Sequence, residues 1–357
     1  MHEARLRFST ANVILALSLA VVPALTPADC GQLSDATDAC QRAASQIDDG
    51  RRRMAQKDFP RAIQELRSAL ELCPSSTEAA LELARAYLTT RQFSQAEETA
   101  ARIVANDRHS EQGLFLLAYS YFMQERFQEA GKTLRKLLDQ NSQNADAHKL
   151  MGLTLFFYKQ YVIAERELQM ALRLHPQDEE ALYYLGRVYY TQNNFPPAVS
   201  TFRRLIGINP KSYKAIDNLG LCYQAQGKID DAIVAFRKAQ ALARDLDPGY
   251  DWPFANLAEL LIQENRAHEA LPYAREAVRI KPQSARNQFL LGKALARTGD
   301  LQAALDCLRK SAELDPNYAE PHYLLGQVYQ KRGQRAEADR EFALFEKISK
   351  RTPHKRL

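Results

Sequence analysis

The sequence is poor in the residues that usually carry chemistry. Its 357 residues include 5 cysteines, too few for a disulfide scaffold, so packing must hold the fold together. The 7 histidines are scattered, and no two of them stand four positions apart. The run 268–272 begins like the zinc motif H-E-x-x-H but lacks the second histidine. We therefore expect no catalytic residue, no metal and no cofactor, and the protein is not predicted to be an enzyme.

An excess of one charge sign is also absent. Lysine and arginine number 48 against 43 aspartates and glutamates, a formal net charge of +5 at pH 7. Part of this excess lies near the two ends of the chain, and the middle is nearly balanced. Proteins that bind nucleic acid need a basic patch or stripe. The charge distribution therefore argues against a nucleic-acid partner.

A mostly apolar run, residues 11–25, follows two arginines near the start of the chain. This arrangement resembles a secretory signal peptide, residues 1–28, cleaved after Ala24 or Ala28. A run of about 15 residues with Pro23 near its end is short for a membrane span. We therefore favour cleavage over a signal anchor, and expect no membrane span in the mature chain.

A lipoprotein is a second alternative for the same segment. It centres on Cys30, but Asp29 before it is a poor match to the small residue usual at that position. Export without a lipid anchor is favoured, so the expected location is periplasmic or extracellular.

Residues 179–236 contain one pattern twice, 34 positions apart. Leu185-Gly186 recurs as Leu219-Gly220, Tyr189 as Tyr223, Ala198 as Ala232, and Phe202 as Phe236. Leucine, glycine and tyrosine at these steps lie on one helix face. A glycine there lets a second helix lie close, and we expect the alanine of that helix to be its contact. One such hairpin cannot bury its own apolar face, so copies must stack on one another.

The period of 34 runs through most of the chain and predicts nine hairpins. They begin near residues 43, 77, 111, 145, 179, 213, 251, 285 and 319. Since Pro210 and Pro248 stand 38 apart, the sixth unit is about one helical turn longer. Each unit has one slot in each helix that is filled only by glycine or alanine. The first-helix slots are Gly50, Ala84, Ala118, Gly152, Gly186, Gly220, Ala258, Gly292 and Gly326, and the second-helix slots are Ala62, Ala96, Ala130, Ala164, Ala198, Ala232, Ala270, Ala304 and Ala338.

This pattern is similar to the tetratricopeptide repeat, W-x2-L-G-x2-Y…A-x3-F…P, with only its tryptophan replaced. The resemblance implies an all-α fold, a right-handed superhelical solenoid of about nine helix-turn-helix repeats. It covers residues 43–350, after a lead-in at 29–42 and before a basic tail at 351–357. It also implies a non-catalytic scaffold that binds a peptide segment or a protein partner.

In that family the first helices line the concave face through repeat positions two, five, nine and twelve. On this chain those positions predict an aromatic-lined partner-binding groove, because binding surfaces concentrate aromatic residues and arginine. Its candidate residues are Phe115, Tyr119, Phe122, Phe156, Tyr183, Arg187, Tyr190, Trp252, Phe289 and Tyr323. Seven basic and six acidic residues share the stripe, which argues against a phosphate-binding track.

Two alternatives to the groove stay open. The aromatic residues are alternatively only padding between neighbouring first helices. The protein is alternatively a structural assembly subunit of an envelope complex that uses its ends and its convex face. The lysine–asparagine clamp that some relatives use for chaperone carboxylates is not evident: Asn218 and Asn256 stand at suitable positions, but the lysines do not.

Two further expectations concern the ends of the array. Cys40 precedes the first hairpin and Cys73 ends it, so antiparallel packing brings the two within disulfide range. We favour this pair, and Cys30–Cys40 is the competing one. At the other end, Phe345 fills a slot where most earlier repeats pack alanine or leucine against the next repeat. Solenoid ends need a polar outer face, so we expect a partner, a second copy of the chain or the folded-back tail to cover it.

Overall fold

The computed structural model describes residues 27–351, with side chains from Asp38 onward. The candidate signal peptide, apart from its last two residues, and the tail beyond Arg351 lie outside the described residues. Within them the chain forms eighteen helices and no strand, which confirms the all-α prediction. The helices are α1 Pro27–Ala55, α2 Phe59–Leu72, α3 Thr77–Thr89, α4 Phe93–Asn106, α5 Glu111–Met123, α6 Phe127–Gln140, α7 Ala145–Phe157, α8 Tyr161–Leu174, α9 Glu179–Thr191, α10 Phe195–Ile208, α11 Tyr213–Ala225, α12 Ile229–Leu246, α13 Trp252–Gln263, α14 Ala267–Ile280, α15 Ala285–Thr298, α16 Leu301–Leu314, α17 Ala319–Lys331 and α18 Arg335–Arg351.

Each odd-numbered helix packs against the even-numbered helix that follows it after a short turn. From α3 onward, every odd-numbered helix begins within one residue of the start predicted from the repeat period. The chain divides into two compact units between Asn106 and Asp107, the first holding α1–α4 and the second α5–α18.

Side-chain caps explain why many of the first helices begin where they do. A serine, asparagine or aspartate precedes the helix, and its side-chain oxygen accepts a hydrogen bond from a backbone N–H of the first turn. The capping residues are Ser76 of α3, Ser110 of α5, Asn144 of α7, Asp178 of α9 and Ser284 of α15. Each of these repeats therefore contains a capping residue that fixes where its first helix begins.

The first helix corrects one prediction. The structure has no separate lead-in at 29–42, because α1 begins at Pro27 and continues without interruption to Ala55. Proline suits the first position of a helix, since its missing N–H needs no partner there. No further proline occurs before Pro60, and the alanine-rich stretch around Cys40 favours helix. Local propensity therefore extends the helix beyond the repeat.

The lengthened sixth repeat is present as predicted. Helix α12 has 18 residues, whereas α10 and α14 have 14 each. The additional turn lies at the C-terminal end of α12 and is followed by the segment 247–251, which contacts α11 as described below.

The glycine slots set the distance between the two helices of a hairpin. A Cβ atom at Gly186 would lie 2.6 Å from the ring of Phe202, and at Gly220 it would lie 2.6 Å from the ring of Phe236. The nearest contact of the glycine is therefore the large residue sixteen positions later, and at Gly292 the backbone oxygen of Ala304, an alanine slot, also lies at 3.3 Å. The other four glycine slots meet Leu66, Leu168, Leu308 and Phe342 in the same way.

A disulfide bond joins α1 to the C-terminal cap of α2. It links Cys40 to Cys73, with their Cα atoms 4.9 Å apart. Because this bond uses Cys40, it excludes the competing pair in this structure; the Cys30 side chain lies outside the described ones. Cys222 and Cys307 are free thiols. Burial raises the pKa of Cys222 to about 12, which makes it an inert core residue.

We expect Gly186→Ala to lower the free energy of unfolding by about 1–3 kcal/mol, because the new methyl group must displace the buried Phe202 ring. Chemical denaturation measures the change. Adding Phe202→Leu should restore part of the loss, since Ala118 already stands opposite Leu134 in the third repeat. Gly207→Ala is the matched control: no atom lies within 4 Å of its Cβ, so stability should stay equal or rise. A Gly186→Ala protein as stable as the wild type would show that this contact does not fix the hairpin.

Candidate functional site

Three aromatic rings follow one another along α5. The ring centroids of Phe115 and Tyr119 lie 6.3 Å apart, as do those of Tyr119 and Phe122. The spacing of four and three residues places them on one helix face, and all three are half-buried. The only charged residue of α5 is Glu111, at its first position. The helix therefore presents an uncharged row of ring edges and faces.

The row continues across the next two first helices. Phe122 contacts Phe157 of α7 at 5.7 Å between centroids, and Phe157 contacts Tyr184 of α9 at 5.8 Å. Tyr184 in turn lies 5.4 Å from Tyr183. We call these six rings the aromatic chain: Phe115, Tyr119, Phe122, Phe157, Tyr184 and Tyr183. Successive rings meet edge to face or offset, the arrangements that aromatic pairs prefer.

The structure corrects the predicted contribution of α7. Phe156, which we predicted in the groove, is only 8% exposed and lies beneath the chain against Tyr184. Its neighbour Phe157 is 41% exposed and takes the surface position. Adjacent residues of a helix point about 100° apart, so Phe157 is exposed although Phe156, and not Phe157, shares repeat position twelve with Phe122. The doublets Phe156-Phe157 and Tyr183-Tyr184 were the sequence signal for the missed rings.

The remaining predicted aromatic residues do not extend the chain. Each lies in a separate pair with another neighbour. Tyr190 contacts Phe195, Trp252 contacts Arg286, Phe289 contacts Tyr318, and Tyr323 contacts Phe342 and Phe345. Trp252 and Tyr323 are 47% and 45% exposed. The ring contacts are therefore continuous from α5 to α9 and interrupted beyond it.

Arg187 lies over the end of the aromatic chain. Its guanidinium carbon is 4.7 Å from the ring centroid of Phe156 and 5.7 Å from those of Tyr183 and Tyr184. These are cation–π distances, which hold the guanidinium in place without neutralising it. Among the described residues, no aspartate or glutamate forms an ion pair with Arg187.

Lys149, one repeat earlier, differs from Arg187 in having carboxylate partners. Its ammonium nitrogen lies 2.9 Å from Asp178, 3.4 Å from Asp146 and 3.9 Å from Glu180. These carboxylates surround the N-terminal ends of α7 and α9, where helix dipoles also favour negative charge.

A buried carboxyl group connects the sixth, seventh and eighth repeats. Asp217 of α11 is 2% exposed and accepts hydrogen bonds from the Tyr250 hydroxyl, at 3.0 Å, and from Asn256 Nδ2, at 2.9 Å. Asn256 Oδ1 accepts a hydrogen bond of 2.9 Å from Arg286, which also pairs with Glu259 at 2.6 Å. The amide of Asn256 is therefore engaged within the protein and is not a free clamp residue.

Four family models match parts of the chain. Two tetratricopeptide repeat models match residues 53–118 and 213–283, and a TPR repeat model matches 293–333. The chain is a tetratricopeptide repeat protein. The model described as anaphase-promoting complex, cyclosome, subunit 3 matches residues 89–171 and 162–239 of this array. No curated protein sequence matches the chain.

Solved structures of other proteins share the fold of this tetratricopeptide repeat protein. A tetratricopeptide repeat protein from Parabacteroides merdae is 18% identical, with a TM-score of 0.56 over 70% of this chain and 98% of that one. A chain of the APC/C hetero-tetramer Cut9–Hcn1 is 18% identical, with a TM-score of 0.55 over 82% and 57%. PilF from Pseudomonas aeruginosa is 18% identical, with a TM-score of 0.51 over 58% and 92%. At this identity the likeness establishes the fold alone.

None of the described helices of the tetratricopeptide array combines the length and apolar character of a membrane span. Over the same residues, no three histidine, cysteine, aspartate or glutamate side chains are grouped so that they could hold a metal ion.

Asp217 gives the tetratricopeptide array a pH dependence that we can predict. Burial raises its pKa from 3.8 to about 7, although the hydrogen bonds from Asn256 and Tyr250 lower it. Between these values the folded protein holds a proton that the unfolded chain has released. Its contribution to stability is therefore complete below pH 3.8 and is lost as the pH rises towards 7, by up to about 1.4 kcal/mol per pH unit.

Denaturation midpoints of wild type and Asp217→Asn between pH 5 and 8 test this expectation. The wild type should lose stability relative to the variant as the pH rises, because asparagine does not titrate. Asp231→Asn, an exposed change in α12, is the control and should follow the wild type. Parallel pH curves for wild type and Asp217→Asn would contradict the assignment.

Proposed function

We propose that this protein is an exported, non-catalytic scaffold that binds a peptide segment or protein partner along the aromatic chain. The observation that carries the proposal is the chain itself, six connected rings on three consecutive first helices. Binding surfaces concentrate aromatic residues and arginine, and a few large side chains there supply most of the affinity.

Packing between repeats accounts for only part of this surface. The rings do touch across α5, α7 and α9, as padding would. However, Phe157 keeps 41% of its surface exposed, and four large apolar side chains cluster at the turn of this repeat. They are Phe157, Tyr158, Val162 and Ile163. Large apolar side chains that are exposed close together in the sequence favour an interaction site over padding.

Export is the second part of the proposal, and its support comes from the sequence and from one bond. Residues 1–28 resemble a signal peptide, and the Cys40–Cys73 disulfide persists only in an oxidising compartment. Protein isolated from its native host should begin after Ala24 or Ala28, and non-reducing peptide mapping should recover the Cys40–Cys73 pair. Soluble cytoplasmic protein that retains Met1 and has free thiols would refute export.

Truncation of two rings tests binding. We expect the double variant Tyr119→Ala, Phe157→Ala to lose about 2 kcal/mol or more of binding free energy per contact, which is about 30-fold in affinity for each ring and about 900-fold for both if the two add. The thermal midpoint should change little, since both side chains are partly exposed. The measurement is quantitative pull-down from the envelope of the native host, with Val234→Ala as a control at an exposed apolar residue of α12. An early-unfolding variant that still binds would assign the rings to packing.

A second candidate function is assembly through the last repeat, as a structural subunit of an envelope complex. The observation that favours it is the exposed apolar surface on α17 and α18: Tyr323 is 45% and Leu344 39% exposed, and Phe345 lies 5.2 Å from the Tyr323 ring. In the same pull-down, capture that survives ring truncation but is lost with Phe345→Glu would select this function.

A further inference from the structure

Two ion pairs between neighbouring first helices join the same two repeat positions. The residue at position nine of one repeat meets the residue at position two of the next. Arg51 pairs with Glu78 in this way at 2.7 Å, and Glu259 pairs with Arg286 at 2.6 Å. Lys293 and Glu320 hold the same two positions in the last repeats, again with opposite charges. In each of these three pairs of positions a cation stands opposite an anion.

One further pair of these positions holds two charges of the same sign. Arg187 is at position nine of the fifth repeat, and position two of the sixth is Lys214. Both are cations, and among the described residues neither has a carboxylate in ion-pair distance. Lys214 instead lies over the rings of Tyr213 and Tyr250, at 5.7 and 5.9 Å. In other repeats these two positions form an ion pair. Here both hold a cation, so the site lacks an anion.

The nearby acidic groups do not fill this site. Asp217 is buried and accepts its hydrogen bonds from Tyr250 and Asn256. Glu180 lies seven residues before Arg187 on α9, about 10 Å along the helix axis, and is grouped with Lys149. Asp247 accepts a hydrogen bond of 2.8 Å from the Tyr213 hydroxyl. None of these three carboxyl groups lies in ion-pair distance of Arg187 or Lys214.

We propose that Arg187 and Lys214 together receive an acidic side chain of an extended peptide segment, whose apolar side chains lie on the aromatic chain. This inference rests on the proposed function and adds the chemical class of the partner. The planar guanidinium suits a carboxylate because it can donate two parallel hydrogen bonds. The proposed occupant is a residue within a segment and not a chain end.

The ring distances set the spacing of the ligand. Steps of 5.7, 5.8 and 5.7 Å lead from Phe122 through Phe157 and Tyr184 to the Arg187 guanidinium. The two ends are therefore at most about 17 Å apart, which an extended peptide spans with about five residues at about 3.3 Å each. The segment should carry an aspartate or glutamate within about five residues of an aromatic or aliphatic residue.

A displayed library of random twelve-residue peptides, fused at both ends so that no terminal carboxylate is free, provides the test. Peptides selected by the wild-type chain should be enriched in an acidic residue at this distance from an apolar one. Selection with Arg187→Gln should keep the apolar preference and lose the acidic one, whereas Arg237→Gln, an exposed arginine of α12, should change neither. Apolar peptides without acidic enrichment would overturn the inference and leave the proposed function standing. The absence of any selected peptide would overturn both.

Lys214→Glu separates an anion site from a structural effect. The change restores the cation–anion pattern of the other repeats, so the thermal midpoint should stay equal or rise. At the same time, affinity for a selected synthetic peptide should fall at least tenfold. Replacing the acidic residue of that peptide by its amide should weaken wild-type binding about tenfold and binding to Lys214→Glu hardly at all. If Lys214→Glu binds the acidic peptide as well as the wild type does, the site is not the anion receptor.

Discussion

The close approach of the two helices within a hairpin is the contact on which the rest of the structure depends. At each glycine slot the side chain sixteen residues later stands where a Cβ atom would be, at 2.6–2.7 Å. Where the slot holds alanine, the opposing residue is Ala100 or Ala274 in two of three repeats and Leu134 in the third. Phenylalanine therefore occurs opposite glycine and never opposite alanine. The volume of the slot and that of its partner compensate, which keeps the hairpins alike although their sequences differ.

Within the second unit, similar hairpins bring neighbouring first helices into contact, and this allows side chains on different repeats to form one surface. The contacts Phe122–Phe157 and Phe157–Tyr184 each cross from one first helix to its neighbour in the second unit. A helix that was rotated by one residue would turn its ring by about 100° and break the row. The aromatic chain is thus a consequence of the packing behind it, and the rings add cross-repeat contacts of their own.

The longer sixth repeat shows how a local insertion changes the surface. The additional turn of α12 is followed by segment 247–251, which returns over the start of α11. There the Tyr213 hydroxyl donates to Asp247 at 2.8 Å, and the Tyr250 ring lies 5.0 Å from that of Tyr213. Tyr250 covers Asp217, so a carboxyl group that would be solvated in a repeat of regular length is buried and hydrogen-bonded. Burying it costs free energy that only these donors offset.

The sequence predicts the structural features that recur in every repeat. It does not predict those that depend on contacts with particular neighbouring residues. The period of 34 placed the starts of α3 to α17 to within one residue, because the glycine slots and the capping residues recur with it. The N-terminal part of α1 was missed, because helix propensity and not the repeat determines it. Phe157 was missed because Phe156 holds repeat position twelve, as Phe122 does, and the exposure of that position differs between the two repeats.

The charges are the clearest case. A count along the stripe gives seven basic and six acidic residues, which describes a neutral surface. The structure pairs Arg51 with Glu78 and Glu259 with Arg286, and groups three carboxylates around Lys149. Once those partners are assigned, Arg187 and Lys214 remain without a carboxylate in ion-pair distance among the described residues. A composition that is balanced overall is therefore compatible with a local preference for one sign of charge.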